Sequence, residues 1–413
     1  MGPITLFDKS FLQSLSLDES VWFDHFFYPV ICPLFYIETL ADLEKAVRQG
    51  RTPEQEVGII ADKVPELGGG PCIHHATLLM GNLNGYSLPM NGRIPVAGGR
   101  PVKKDEKRGW VFDSSPEAEA FKRWQEGKFM EVERLFAQSW RATLNSIDLL
   151  AIASAMRALG IDSKKCRTLQ EAKNLADAIV MATDKPFDRM KFALLLLNIP
   201  HFRQQHILKL WQDTGSRPIT EFAPYAAYVL TVELFFQIEL AANLISSERV
   251  SNRVDIAYLF YLPFCMVFVS FDKLHRKCVP LFLRPNQTFI WGEDLKAHLS
   301  KLNEHYLALP ETDKEEGIFK FASTPPGSEG CLVSELWDRH LRPWRKRALE
   351  IKIKDSDQEK KLVKEMSELC KAPTVPAEEL NFKMDEAEMS FMISEPNIRK
   401  GFWCARKSCP ALL

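Results

Sequence analysis

Short apolar runs that end at an acidic residue occur near both ends of the first 300 residues. Ile4-Thr5-Leu6-Phe7 is followed at once by Asp8, and the run from Met266 to Val269 is followed by Asp272. Strands buried on both faces of a parallel sheet have this continuous apolar character. We therefore predict two buried strands, each followed by a carboxylate at its C-terminal end, where α/β sheets collect ligand-binding and catalytic groups.

Two further acids are predicted to lie near the same edge. The run Val30–Ile37 predicts another buried strand, after which Glu38 opens a helix. Asp255 begins a helical segment that breaks at Pro263, shortly before the strand that precedes Asp272. A helix of about ten residues is about 15 Å long, and the short strand that follows runs back over a similar distance. Asp255 and Asp272 should therefore share one edge of the sheet.

The middle of the chain has the apolar periodicity of helices joined by short polar connections, which predicts an antiparallel bundle. Its most apolar stretch, 222–245, contains Glu233, Gln237 and Glu239, so it is interpreted as a buried helix rather than a membrane span. The predicted helical segments lie near 116–126, 129–143, 146–159, 168–182, 186–197, 201–213 and 219–246. After the second acid-ended strand, we predict a further strand at Thr288–Trp291 and a helix at Asp294–Tyr306.

Dense glycine turn signals make residues 62–110 look irregular, and the chain after about 311 has a different character, with a Pro-Pro-Gly turn and a charged helical segment. These shifts predict a discontinuous α/β core with a mostly parallel sheet, interrupted by other segments. The predicted division is 1–50 with 247–310 as the core, 51–114 as a Gly-rich loop region, 115–246 as a helical insertion and 311–413 as a C-terminal extension.

The amino-acid composition is compatible with this predicted fold. The 413 residues are 46% hydrophobic and 26% charged, which is typical of a globular chain. The formal net charge of −1 provides no global field for nucleic acid, so any such binding must use local basic patches. Nine scattered cysteines and the lack of a secretory signal favour a reducing compartment, and we expect a cytoplasmic protein.

The acids and two nearby serines, in their order along the chain, resemble the PIN-like nucleases. The resemblance covers about residues 1–48 and 250–300, and the intervening gap is far longer than a compact PIN domain needs. Lys9 and Phe271 occupy positions where small or polar residues are more usual. The residues that carry the resemblance are Asp8 and Ser10 of the D-K-S motif, Glu38, Asp255, and Ser270 and Asp272 of the S-x-D motif.

The resemblance implies a three-layer α/β/α core and a metal-dependent phosphodiesterase, most readily an endoribonuclease, although some branches cleave DNA. Hard cations prefer oxygen ligands, and a bound cation can lower the pKa of water to make a nucleophile. On this hypothesis, one set of residues serves both as Mg²⁺ or Mn²⁺ ligands and as catalytic residues. These residues are Asp8, Glu38, Asp255 and Asp272. The alternative interpretation makes each of them a helix cap or a solvated turn acid.

Several other residues are candidates for supporting roles. Ser10 and Ser270 could orient the carboxylates, and Asp42 or Asp294 could be an additional ligand, although a helix cap is the simpler role for Asp294. Basic side chains in two stretches could contact nucleic acid, or could be ordinary solvated charges. They are Lys103, Lys104, Arg342 and Arg345.

The sequence thus predicts a nuclease whose partner is RNA rather than DNA, with no membrane association. The alternative is a non-catalytic interaction or scaffold protein on a degenerate PIN-like core, which the slightly acidic balance favours. A toxin paired with an antitoxin is a third hypothesis. A zinc site at Cys72, His74 and His75 is disfavoured, because no second Cys/His pair has suitable spacing.

Overall fold

The structure is a computed structural model. It describes residues 2–45, 50–65, 72–96, 99–112, 115–158, 166–327, 329–341, 343–345, 356–380 and 399–405.

A four-stranded parallel sheet forms the centre of the α/β core, as the apolar runs predict. The strand order is β2-β1-β5-β6, and β1 pairs with both β2 and β5. In the β1–β5 ladder, Phe7 lies opposite Val269, which places Asp8 opposite Ser270. The core strands are β1 (Ile4–Phe7), β2 (Tyr28–Val30), β5 (Val267–Ser270) and β6 (Thr288–Trp291).

Helices surround this sheet and connect its strands. Ser16 caps α2 in a capping box with Glu19, which explains why the apolar stretch 11–27 divides into two helices. The segment 258–264 is a 3₁₀ helix that contains Pro263 and continues from α14. The core helices are α1 (Lys9–Ser14), α2 (Leu17–Phe26), α3 (Pro33–Leu40), α14 (Asn252–Ala257), α15 (Lys273–Cys278) and α16 (Gly292–Leu307).

The prediction of a strand over Val30–Ile37 is wrong. The strand β2 ends at Val30, and Pro33 begins helix α3 with its ring at the first helical position, where a missing N–H has no cost. Glu38 therefore lies on the last turns of a helix rather than after a strand. A fully apolar run does not distinguish a buried strand from a buried helix, and here the proline is the deciding signal.

The region 51–114, predicted as a loop, contains regular structure. Helix α4 begins with Thr52 in a capping box, and a basic antiparallel hairpin is formed by two strands whose outer residue pair is Arg100 with Val111. The short polar turn at Asp105, in the left-handed conformation at φ 55°, closes this hairpin. The elements are α4 (Pro53–Ala61), α5 (His75–Leu83), β3 (Arg100–Lys104) and β4 (Lys107–Val111).

The segment 115–246 is helical throughout its described part, close to the predicted boundaries. The predicted helix over 219–246 divides at Ala223, and the long second piece is buried along nearly its whole length. The helices are α6 (Pro116–Gln125), α7 (Glu131–Asn145), α8 (Leu149–Ala158), α9 (Leu169–Met181), α10 (Pro186–Leu196), α11 (His201–Asp213), α12 (Ile219–Phe222) and α13 (Pro224–Ala241).

Some of the described residues after 310 pack on the core. Trp403 is buried against Trp22, and both indoles donate to the side-chain oxygen of Asn303, at 2.8 and 2.9 Å. In the described part of the chain, no helix has the length and apolarity needed to cross a bilayer. The elements are α17 (Glu311–Lys314), α18 (Ile318–Phe321), α19 (Leu332–His340), α20 (Ser356–Cys370), β7 (Arg399–Lys400) and β8 (Trp403–Cys404).

Candidate active site

The point at which successive strands are added to opposite sides of the sheet lies between β1 and β5. From β1 the chain moves to β2 on one side, whereas β5 and β6 lie on the other side. In open α/β sheets, ligands bind at such a switch point, in the crevice beyond the carboxyl ends of the strands. Asp8 and Asp272 occupy the two loops that leave β1 and β5 here. We name the group Asp8, Glu38, Asp255 and Asp272 the acidic edge.

Asp8 is buried, and both of its carboxylate oxygens accept hydrogen bonds from donors of this chain. One carboxylate oxygen caps α1 by accepting from the Phe11 amide at 2.9 Å. The other accepts the hydroxyls of Ser10 at 2.6 Å and Ser270 at 2.7 Å. The predicted orienting role of the two serines therefore has a geometric basis at Asp8.

His275 is the buried basic partner of Asp8. Its Nδ1 lies 3.7 Å from the Asp8 carboxylate and 2.8 Å from Ser270 Oγ, and its Nε2 lies 2.6 Å from the Asp255 carbonyl. Burial lowers the pKa of His275, but the adjacent carboxylate of Asp8, together with Asp255, outweighs burial and raises the pKa to about 9. A buried imidazolium thus lies among the acids.

The hydrogen-bond arrangement also accommodates the protonated imidazole. The Asp255 carbonyl only accepts, so Nε2 must carry a proton. Ser270 Oγ donates to Asp8 and accepts from the Asp272 amide at 2.8 Å, which leaves one lone pair for a proton on Nδ1. Burial opposes ionisation of Asp8, but His275 and the two serines hold its pKa below the ordinary value.

Glu38 reaches the acidic edge from α3. Tyr258, in the 3₁₀ helix before β5, donates its hydroxyl to the Glu38 carboxylate. Lys9 donates to the Glu38 carbonyl at 3.1 Å and to the Asp42 carboxylate at 2.9 Å. Burial raises the pKa of Glu38 more than Lys9 and Tyr258 lower it, and the neighbouring charge of Asp8 adds to the rise.

Asp255 and Asp272 face each other across one arginine. Arg249, which is 57% exposed, places a guanidinium nitrogen 3.1 Å from Asp272 and 3.7 Å from Asp255. The same Asp255 oxygen is buried and has no hydrogen-bond partner among the described residues. Burial, opposed by His275 and reinforced by the charges of Asp272 and Glu38, raises the pKa of Asp255 to about 7.

The two additional acids lie apart from this arrangement. Asp42 is buried within reach of three cations, with Lys9 at 2.9 Å, Arg141 at 3.5 Å and Lys45 at 3.8 Å, which makes it the anchor of an ion-pair network. Asp294 is exposed in the first turn of α16, whose N-cap is Trp291. The expectation that Asp294 caps this helix is therefore wrong, since it complements the helix dipole instead.

The basic side chains predicted to contact nucleic acid differ in whether they are already paired with an acidic side chain. Lys104 pairs with Glu368 of α20 at 2.6 Å, and Arg345 pairs with Asp338 at 3.0 and 2.7 Å. Lys103 is exposed on β3 and has no ion-pair partner in the part of the chain described. Arg342 lies outside the described residues.

The fit of a divalent cation depends on which oxygens are free. Among the described residues, no three His, Cys, Asp or Glu side chains are arranged to hold a metal ion. Mg²⁺, however, keeps several waters and is often bound through one or two carboxylates. Asp255 offers a buried oxygen with no hydrogen bond from the described residues, and among these residues Asp272 is held by an exposed arginine and a backbone amide of α15. The Asp255–Asp272 pair therefore fits a hydrated hard cation, whereas both Asp8 oxygens already accept hydrogen bonds.

Sequence reasoning did not identify His275, Tyr258 and Arg249. His275 follows Asp272 by three residues, one helical turn, so the spacing S-x-D-x-x-H was a usable signal. Tyr258 lies in an unbroken apolar stretch and Arg249 in a polar loop, and neither position carries a local signal of its partner.

Comparisons of the chain with protein-family models, with curated proteins and with solved structures give no match.

Proposed function

We propose that this protein is a divalent-cation-dependent phosphodiesterase that cleaves RNA at the acidic edge. The observation that supports it most directly is a buried oxygen of Asp255 beside Asp272, at the switch point of a parallel sheet, that accepts no hydrogen bond from the described residues and faces only the exposed Arg249. The order of the acids and serines that resembles the PIN-like nucleases supports the same proposal, together with a three-layer α/β/α arrangement of the core.

In this proposal Asp255 and Asp272 hold Mg²⁺ or Mn²⁺, and the Arg249 guanidinium is displaced towards the solvent. The cation would polarise a phosphoryl oxygen and supply a water of lowered pKa. Asp8 and Glu38 act from the opposite side of the edge by adding negative charge. Tyr258 fixes the Glu38 carboxylate, while Ser270 and His275 fix Asp8.

Arg249 has two compatible roles. In the absence of a cation it offsets the charges of Asp255 and Asp272. With a cation present, the released guanidinium would be available to bind a phosphate, since Arg forms paired hydrogen bonds with phosphate oxygens.

The test is cleavage of an end-labelled single-stranded RNA by the full chain in Mn²⁺, Mg²⁺ or EDTA. We expect cation-dependent cleavage that falls to background in Asp255→Asn and Asp272→Asn. Asp294→Asn is the matched control, because this acid is exposed on α16, and it should retain wild-type cleavage. An inactive wild-type protein, or an Asp255→Asn/Asp272→Asn double variant that still cleaves, would reject the proposal.

A second candidate is a non-catalytic scaffold on the same core. It is favoured by the fact that the acidic edge already has internal cations, namely His275 at Asp8, Arg249 at Asp255 and Asp272, and Lys9 near Glu38. Calorimetric titration with Mn²⁺ separates the two candidates. Binding that is lost in Asp272→Asn supports the nuclease, whereas the absence of binding at millimolar Mn²⁺ supports the scaffold.

A further inference from the structure

A cavity of about 170 Å³ lies inside the helical segment 115–246, bounded by α9, α10, α11 and α13. Its inner wall consists of buried apolar side chains, and it shares no residue with the acidic edge. An engineered apolar cavity of about 150 Å³ stays dry and accepts benzene. The space is therefore suited to one aromatic ring. The buried wall residues are Val180, Met190, Ala193, Trp211 and Leu230.

The rim of the cavity is built by the turn that ends α11. The Gly215 amide donates to the Gln212 carbonyl at 3.0 Å and the Ser216 amide to the Trp211 carbonyl at 2.9 Å, which is the Schellman pattern. Ser216 itself is left-handed at φ 51°, an uncommon conformation for a residue with a side chain. The Trp211 indole then donates to the Arg217 carbonyl at 2.7 Å, so a wall residue fixes the Arg217 backbone at the rim.

Two arginines line the cavity, and they differ in their partners. Arg189 donates to the carboxylate and carbonyl of Asp184 and to the Ile179 carbonyl, so its donors are largely occupied. The Arg217 side chain is exposed and has no hydrogen-bond or ion-pair partner among the described residues. The rim thus presents one free guanidinium above an apolar cavity, a combination that can recognise an anion attached to an apolar group.

We propose that this cavity binds a small aromatic carboxylate, with the ring between α10 and α13 and the carboxylate paired with Arg217. The guanidinium fork matches both oxygens of a carboxylate, whereas a neutral amide offers only one acceptor to it. The buried wall is apolar and supplies no partner for a polar group at the inner end of the ring, whereas the polar lining residues Thr183 and Ser216 are exposed and half-buried. The ligand class is therefore an aromatic acid whose ring is unsubstituted or alkyl-substituted at its inner end, and this inference does not depend on the proposed nuclease activity.

The test is isothermal titration calorimetry of the full chain with phenylacetate, compared with phenylacetamide, which has the same shape without the charge. We expect phenylacetate to bind at least about tenfold more tightly, the difference expected for a hydrogen bond to a charged group. Arg217→Ala should reduce this preference to near parity. Arg203→Ala, which removes an arginine of α11 that does not line the cavity, is the matched control and should preserve the preference.

A second experiment fills the cavity with a larger side chain. Ala193→Phe should abolish binding of both compounds, because the new ring occupies the same space, and thermal unfolding shows whether the variant is folded. If it is not folded, Ile219→Trp at the half-buried side of the cavity takes its place. The proposal is overturned by absence of binding to the wild-type protein at millimolar phenylacetate, by equal affinity for acid and amide, or by unchanged binding in the folded filling variant.

Discussion

The acidic edge and the helical segment 115–246 differ in the chemistry of the groups that they bury. The acidic edge buries titratable groups, which contact side chains from other parts of the core, as Asp8 contacts Ser270 and His275. In the helical segment, small apolar residues such as Ala172 and Ala176 face α13 and let helices approach closely.

This difference predicts that substitutions in the two regions lower the free energy of unfolding for different reasons. Removing one member of a buried charge network leaves another charge without its partner, and the cost is set by electrostatics. Removing an apolar side chain leaves a hole, and the cost is set by how far the neighbours can close it.

The largest expected effect is that of Asp8→Ala. It leaves the buried His275 without its carboxylate and α1 without its cap, so the free energy of unfolding should fall by about 3–5 kcal/mol. Urea denaturation followed by circular dichroism measures this. The exposed Asp294→Ala should change stability by less than about 0.5 kcal/mol. Equal losses for the two variants would show that the acidic edge is not electrostatically coupled.

Two carboxyls are buried on α13. Glu233 pairs with Arg253, whereas Glu239 has no cationic partner among the described residues and tests how the helical segment accommodates a buried carboxyl. The Glu239 carboxyl is fully buried, receives the Cys278 thiol at 3.5 Å, and has its pKa raised by burial from 4.5 to about 8. Between these values the folded state keeps a proton that the unfolded state has lost. Stability should therefore fall as pH rises from 4.5 to about 8, by up to about 1.4 kcal/mol per pH unit.

Glu239→Gln should remove this component, and urea denaturation at several pH values measures it. A slope that remains below about pH 7 in the variant belongs to Asp255 and Glu38, and one that remains between 6.5 and about 9 belongs to His275, because the pKa of each of these groups is also raised in the folded state. An unchanged pH profile in Glu239→Gln would mean that this carboxyl is ionised and solvated in the folded protein.

Ser270 and Ser10 offer a matched pair, because both donate to the same Asp8 oxygen, at 2.7 and 2.6 Å. Ser270 is fully buried and also accepts from His275 and the Asp272 amide, whereas Ser10 is exposed. Ser270→Ala should lower the free energy of unfolding by about 1–3 kcal/mol, and Ser10→Ala by less than about 1 kcal/mol. Chemical denaturation decides, and a larger loss for Ser10→Ala would contradict the network described at Asp8.

The smallest effect on stability is expected at the basic hairpin. Lys103→Ala should leave the denaturation midpoint unchanged, because this side chain is exposed and has no ion-pair partner among the described residues. If RNA binds here, as the proposed function allows, the variant should weaken binding uniformly across sequences and reduce the salt slope by about 1. Fluorescence anisotropy at several salt concentrations measures this, with Lys209→Ala on α11 as the control. Identical salt slopes would place RNA elsewhere.

Local pattern was sufficient where an element is both short and sharply bounded. The strands at 4–7, 267–270 and 288–291 were predicted from apolar runs that end at polar residues, and the helices of 115–246 from their periodicity. The hairpin at 100–111 was missed, because its strands are basic and only partly buried and lack alternation. The same limit explains α3, where an apolar run has no period that distinguishes helix from strand.

The sequence by itself determined that acids follow β1 and β5, because strand ends and their first polar residues are local properties of the chain. Only the tertiary structure decided which side chains contact the acids of the site. His275, Arg249 and Tyr258 reach Asp8, Asp272 and Glu38 through packing, over separations of up to 267 positions between Asp8 and His275. Hydrogen bonds and charges act through space, so the protonation of the site is a property of the folded arrangement and not of any segment alone.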